Sequence, residues 1–220
     1  MDSPPSMNPP MHLPRILPLR GLMLLPAILS SSCGTFIKDQ TRAEKAREAD
    51  AYSIGIQAYI YGLAPVEAYR LRHEWTQDPT SPFHAPVHQF RHERELLTPE
   101  SGDSVDADDS TLHSYAWIDL AKGPVVLRMP PPKGRWYVFQ LMDFWTDVFA
   151  YAGPGWMRSR TGDCVLVPPD WKEELPADLI RIQSPTPVVW LFALTGVDGP
   201  EDLEEARRFQ DQYSLTPLAL

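Results

Sequence analysis

Three histidines, His84, His88 and His92, recur at intervals of four residues. On a continuous helix that spacing would align three imidazoles on one face, where neutral ring nitrogens can ligate a divalent transition metal. Pro82 and Pro86 interrupt the start of that stretch, so a solvated or hydrogen-bonded loop is the competing reading. Asp103, Asp106, Asp108 and Asp109 offer hard oxygen ligands for calcium, but without the spacing and terminal glutamate of an EF-hand. For acid–base chemistry the candidates are His92, His113, Asp143 and Asp147. Asp119, Asp143 and Asp147 flank segments that carry Trp117, Trp136 and Trp145. Carboxylates beside indoles suit a glycan-like or other ring-bearing ligand, whose faces stack while its hydroxyls donate to the acids. The same aromatics also serve as plain core in a strand. Read on one strand, Asp143 and Asp147 point to the same face.

Nucleophile signatures are missing. The sequence has no Gly-x-Ser-x-Gly elbow, Cys-x-x-Cys, His-Glu-x-x-His or phosphate-binding glycine loop. Catalytic triads can converge from distant positions, so this removes positive evidence and does not decide whether the chain is an enzyme. The sequence leaves any cofactor unknown. Cys164 sits in Asp163-Cys164-Val165-Leu166-Val167, which reads as a strand and predicts a buried, inert thiol.

These side chains must be positioned by a helical first part and a β-rich second part. From Lys38 to about Trp75, apolar residues Ala51, Ile54, Ala58, Tyr61 and Tyr69 recur at helical spacing. Gly62 and Pro65 predict two helices, or one kinked near Leu63. Residues 76–110 read as an ordered loop with one or two helical turns around Phe90 to Leu97. Then the period changes. Leu112–Leu120, Val125–Met129, Trp136–Met142, Asp147–Ala152, Cys164–Val167, Leu179–Gln183 and Val188–Leu194 are short β-branched and aromatic runs between Gly/Pro turns. They predict a mainly β domain, an antiparallel sandwich or barrel-like sheet. Pro200 and the acids around it open a C-terminal helix whose packing face is Leu203, Ala206 and Phe209 or Gln210.

At the N-terminus, Arg15 and Arg20 precede the apolar run from Gly21 to Leu29, then Ser30, Ser31, Ser32 and Cys33. That order is a basic region, a hydrophobic segment too short to span a bilayer, and a small-residue cleavage site. It predicts a signal peptide over residues 1–32, with translation starting at Met7 or Met11. Small residues before a cysteine resemble a lipobox, in which Cys33 is lipidated and becomes the mature N-terminus, although Ser30 stands where leucine is usual. Residues 33–49 then form a tether and the start of the helix. With no aspartate after Cys33, the expected location is the periplasmic face of the outer membrane. The chain carries 20 basic and 29 acidic residues, net -9, and has no basic stripe, which disfavours nucleic acid as a partner.

Residues Gln89-Phe-Arg-His-Glu-Arg-Glu-Leu-Leu-Thr-Pro-Glu100 and Ser110-Thr-Leu-His-Ser-Tyr-Ala-Trp-Ile-Asp-Leu120 resemble the N-terminal domain of the DUF1254 cell-envelope family. The likeness continues through Gly134-Arg-Trp-Tyr137, Gln140-Leu-Met-Asp143, Ser184-Pro-Thr186 and Gln210-Asp-Gln-Tyr-Ser-Leu-Thr-Pro-Leu218, and covers about residues 50–218. His92 and Asp143 match positions of the family pattern. The resemblance implies an immunoglobulin-like β-sandwich with helical additions, usually followed by a jelly-roll domain, DUF1214. On that resemblance this chain looks like a stand-alone first domain, or alternatively a truncated or split gene product that assembles with a separately encoded jelly-roll domain in trans. The expected function is a lipid-anchored envelope domain binding a partner protein or small ligand, the alternative being a small-molecule hydrolase or lyase with a His/Asp site.

Overall fold

The computed structural model describes residues 25–97, 108–155 and 162–218. The chain divides into two units, residues 1–58 and 59–220. Helix α1 (Leu25–Gln77) supplies the described structure of the first unit and enters the second. Residues 25–32 of the predicted leader, and Cys33, fall in this helix, while residues 1–24 lie outside the described residues. Among the described residues no helix is long and apolar enough to cross a membrane.

Of the two expected arrangements, the pair of separate helices does not form, because α1 is continuous through Pro65. An interior proline costs about 3 kcal/mol through its lost donor and its clash with the preceding turn. The following turns are held from outside the helix. Ala68 is buried, Arg72 pairs with Asp119 at 2.8 Å, and Trp75 stacks on Phe83 at 4.9 Å between ring centres. The exposed pairs Glu67–Arg70 and Arg70–Glu74 add little by themselves. Packing on the domain outweighs local propensity here.

The strands are β1 (Arg91–His92), β2 (Thr111–Asp119), β3 (Val125–Arg128), β4 (Tyr137–Met142), β5 (Val148–Ala152), β6 (Cys164–Val167), β7 (Ile180–Gln183), β8 (Val188–Gly196) and β9 (Ser214–Pro217). A 3-10 turn (Pro200–Asp202) leads into helix α2 (Leu203–Gln210) between β8 and β9. The sheets are β1-β2-β8-β4-β5 and β7-β6-β3-β9. Alternation sends Leu112, Ser114, Ala116 and Ile118 of β2 to one face and His113, Tyr115, Trp117 and Asp119 to the other. Ala116 and Ile118 share one core with Phe139, Leu141 and Leu191 of their own sheet and with Val125, Leu127, Cys164, Leu166 and Leu215 of the second. Burial pushes the Cys164 thiol up to about 12, as an inert core cysteine requires.

Three expectations are corrected. The sheets are not wholly antiparallel: β6 and β7 pair in parallel, Cys164 opposite Ile180. Residues 168–179 between them are long enough to return the chain to the same end of the sheet. The stretch after Phe90 is extended instead of helical, because its backbone bonds to β2: His88 N–H to Trp117 O at 2.9 Å and Glu93 N–H to His113 O at 2.8 Å. The short edge strand β9 was also unforeseen, since only Leu215 of its four residues is buried.

Gly153, just after β5, has φ 136°, and a Cβ there would meet Tyr137 O at 2.8 Å. Gly153→Ala is therefore expected to destabilise the domain by about 2–4 kcal/mol, lowering Tm by about 5–10 °C, which thermal melting followed by circular dichroism measures.

Candidate functional site

A buried polar cluster lies where α2 and β1 meet the inward face of β2. Gln210 is 0% exposed at the end of α2, next to Ala206 and Phe209 on the buried side of that helix. Its side-chain amide donates to His113 O at 3.1 Å and to Ser114 Oγ at 2.9 Å. Ser114 Oγ in turn lies 2.8 Å from His92 Nδ1. Because Ser114 accepts from Gln210, its own proton is available to a neutral imidazole. Gln210 Oε1 is buried with no hydrogen-bond partner, and turning the amide over would set that oxygen against the His113 carbonyl, so the orientation is fixed. Phe90 stacks on the His92 ring at 5.6 Å, and Tyr213 stands 6.2 Å away. Tyr213 OH shares a 2.8 Å hydrogen bond with the buried Thr195 hydroxyl of β8.

Burial, followed by the neighbouring Arg94 charge, lowers the His92 pKa from 6.5 to about 4, although Asp211 opposes the shift. His92 and Ser114 have the spacing of a base and a nucleophile. Ser114, however, is fully buried and already donates and accepts inside the network. The groove of about 380 Å³ beside α2 is lined by Pro131, Pro132, Lys133, Arg135, Glu205 and Phe209 among others, and by neither member of the pair. The arrangement joins α2, β1 and β2 and does not present a reactive group.

The other predicted residues do not gather around it. In β1–β2 pairing His92 stands opposite Ser114, so His113, one residue along β2, points to the opposite face of the sheet. There His113 meets the Phe192 ring edge-on at 5.1 Å. Asp143 lies beyond the far end of β4, whose Val138 is in the row of Leu194 and His113. Five residues of strand separate the two, about 16 Å. Asp143 and Asp147 are the two ends of the β4–β5 hairpin loop and not neighbours on one strand. Asp143 Oδ1 accepts from Trp145 N–H at 2.8 Å and Asp147 N–H at 3.1 Å, and Thr146 takes the left-handed φ of 68° that such a tight loop requires. Thr186 Oγ1 accepts from Phe144 N–H at 3.1 Å, and Ser184 Oγ donates to Thr186 O at 2.6 Å. Asp143 is thus a buried turn brace, while Asp147 is exposed.

The histidine triplet lacks the helix on which a shared metal face depended. His84 is in a loop, His88 has φ 66° and lies within 3.0 Å of Asp119 N and O through Nε2, and His92 is in β1. Among the described residues no group of three or more His, Cys, Asp or Glu is placed to hold a metal ion. Asp103 and Asp106 of the acidic group lie outside the described residues. Burial raises the Asp108 pKa, but hydrogen bonds from Ser110 and Thr111 outweigh it and hold the carboxyl below its ordinary value. Asp119 is used by Arg72 and by Ala121 N–H. Trp117 is buried against Trp190, 5.5 Å between ring centres, while Trp136 and Trp145 stand at opposite ends of β4, so the three indoles do not form one platform.

The outward face of the first sheet carries a surface that the sequence reading missed. Leu141 pairs with Ala150 but Met142 with Val148, which makes Phe149 the extra residue of a β-bulge. The bulge lets Val148 and Tyr151, three residues apart, face outward together. They are 41% and 40% exposed, and Trp145 in the adjoining loop is 38% exposed. Tyr61 of α1 approaches Trp145 at 6.2 Å between ring centres. Alternation alone would have turned Val148 inward, so only the bulge reveals this cluster.

A family model described as "Protein of unknown function (DUF1254)" matches residues 87–217. No curated protein matches. Among solved structures, the crystal structure of the VPA0106 protein from Vibrio parahaemolyticus is similar, with a TM-score of 0.59 at 23% identity, covering 73% of this chain and 37% of that one. That likeness is one of fold, and this chain spans little more than a third of the Vibrio protein's length.

The His92 pKa sets a sign for acid stability. A histidine of pKa about 4 when folded and about 6.5 when unfolded contributes its full stability above pH 6.5, and loses it as pH falls toward 4, by about 2–3 kcal/mol. Urea denaturation at pH 7 and pH 5 should show a steeper loss for wild type than for His92→Asn. Equal slopes would contradict a buried neutral imidazole.

Proposed function

Since this chain belongs to the DUF1254 family, whose model matches more than half of it, we propose that it is a cell-envelope domain, exported and lipid-anchored through Cys33, that binds a partner protein and is not itself a catalyst. The observation that carries the reading is the apolar outward surface of Tyr61, Trp145, Val148 and Tyr151. Exposed aromatics clustered on one side of a sheet are the composition of a protein-binding patch. The dispersal of His92, His113, Asp143 and Asp147 to both faces of the sheet and to its far end supports a binding role over a hydrolase or lyase.

For the finer fold, we read the two sheets and their single core as an immunoglobulin-like sandwich with helical additions. The partner that the family resemblance suggests is a DUF1214-type jelly-roll domain. The domain would act at the periplasmic face of the outer membrane.

Two measurements test this. The full chain, titrated with a separately expressed DUF1214-type domain, is expected to bind it, and Trp145→Ala with Tyr151→Glu should weaken binding by about tenfold or more; no binding by the wild type removes the proposed partner. In cells given radiolabelled palmitate, the wild type should take up label and Cys33→Ala should not, whereas equal labelling would remove the lipid anchor.

A further inference from the structure

The groove of about 380 Å³ beside α2 is walled by the turn between β3 and β4, by Asp198 after β8, and by α2 with Gln212. Its volume is that of a small-ligand cleft. Arg135 lies in the lining but is already engaged: it forks onto Asp202, donates to Gly196 O and stands 5.7 Å from the centre of the Phe209 ring. Phe209 is buried, and with Pro131 and Pro132 it gives the groove an apolar side. Glu205 pairs with Arg208 at 3.2 Å. Among the described residues, neither the Lys133 ammonium nor the Asp198 carboxylate of this lining has a side-chain partner. The backbone at Lys133 is a second, independent sign. Arg135 N–H closes the turn on Pro132 O at 2.7 Å, and both central residues have positive φ, 47° at Lys133 and 91° at Gly134. Such turns favour Asn-Gly or Gly-Gly, since a longer side chain crowds its own backbone there. Gly134 meets that demand and Lys133 does not. No contact of the Lys133 side chain inside the fold offsets the strain, whereas an ammonium held at the rim of a groove does, in the way strained residues collect at ligand clamps.

We propose that this groove binds a small apolar zwitterion, an amino acid or a dipeptide with free termini. Lys133 takes the ligand carboxylate, Asp198 takes its ammonium, and Pro131, Pro132 and Phe209 face its apolar side chain. A phosphate or other simple anion would meet the carboxylates of Asp198 and Glu205, and a simple cation would leave Lys133 unanswered. A ligand carrying both charges matches the lining. The groove lies at the start of β4 and Trp145 beyond its end, so the site does not rest on the Trp145–Tyr151 patch and either can fail without the other.

Calorimetric titration of the full chain with phenylalanine and with alanylphenylalanine, each to about 10 mM, tests the proposal. At least one should bind, and its N-acetylated, C-amidated form should bind about tenfold more weakly or worse. Lys133→Asn and Asp198→Asn should each weaken binding about tenfold, while Lys122→Ala, which removes an exposed lysine between β2 and β3, should leave it unchanged. Lys133→Asn also gives the turn its preferred pair, so it should raise Tm by about 2–4 °C while affinity falls. A lysine serving the fold alone would not separate those two readouts. Heat of dilution only, from both ligands, overturns the proposal. So does equal binding of the blocked form, or full affinity in Lys133→Asn.

Discussion

The buried amide of Gln210 joins three parts of the molecule that sequence separates widely. Its two N–H groups reach the His113 carbonyl and the Ser114 hydroxyl, and the hydroxyl reaches His92. An unpaired buried amide or hydroxyl costs about 1–3 kcal/mol, so removing one member leaves the others exposed to that penalty without water to relieve it. The network therefore fixes α2 against β2 and holds the two-residue β1 at the sheet edge, where its own backbone bonds would be a weak restraint. A second set of contacts works at the other end of α2, where Asp202 precedes its first residue. Arg135 forks onto both oxygens of Asp202 at 2.6 and 2.7 Å and donates to Gly196 O, tying the turn before α2 to β8.

Seen from this network, the polar residues of the family pattern serve architecture. His92, Ser114 and Gln210 form the seam, Asp143 braces the β4–β5 loop, and Ser184 with Thr186 holds that loop from the β7–β8 connection. Each of these carboxylates and hydroxyls is already engaged inside the fold. On the surface, the β-bulge at Phe149 exposes Val148 and Tyr151 beside Trp145.

The sequence revealed those parts of the fold that depend on side-chain period. Seven strands were legible because Val, Ile, Leu and aromatic runs alternate between turns, and α2 was legible from Pro200 and its acidic start. Cys164 was readable as core from its neighbours. What was not legible depends on partners distant in the chain. His92 lies in a strand because β2 supplies hydrogen bonds, and β7 runs parallel to β6 because a long loop brings it back. Asp143 and Asp147 look like one strand face until Thr146 turns the chain. Gln210 stood on a predicted packing face, and a glutamine beside Ala206 and Phe209 was the available sign of a buried network.

A double-mutant cycle on Gln210→Leu and Ser114→Ala, read by urea denaturation, tests most directly whether this seam holds the domain together. A coupled network predicts that each change destabilises the protein and that the pair costs less than the sum, with a coupling on the order of 1 kcal/mol. Strict additivity would mean that the two side chains do not depend on each other in the folded protein.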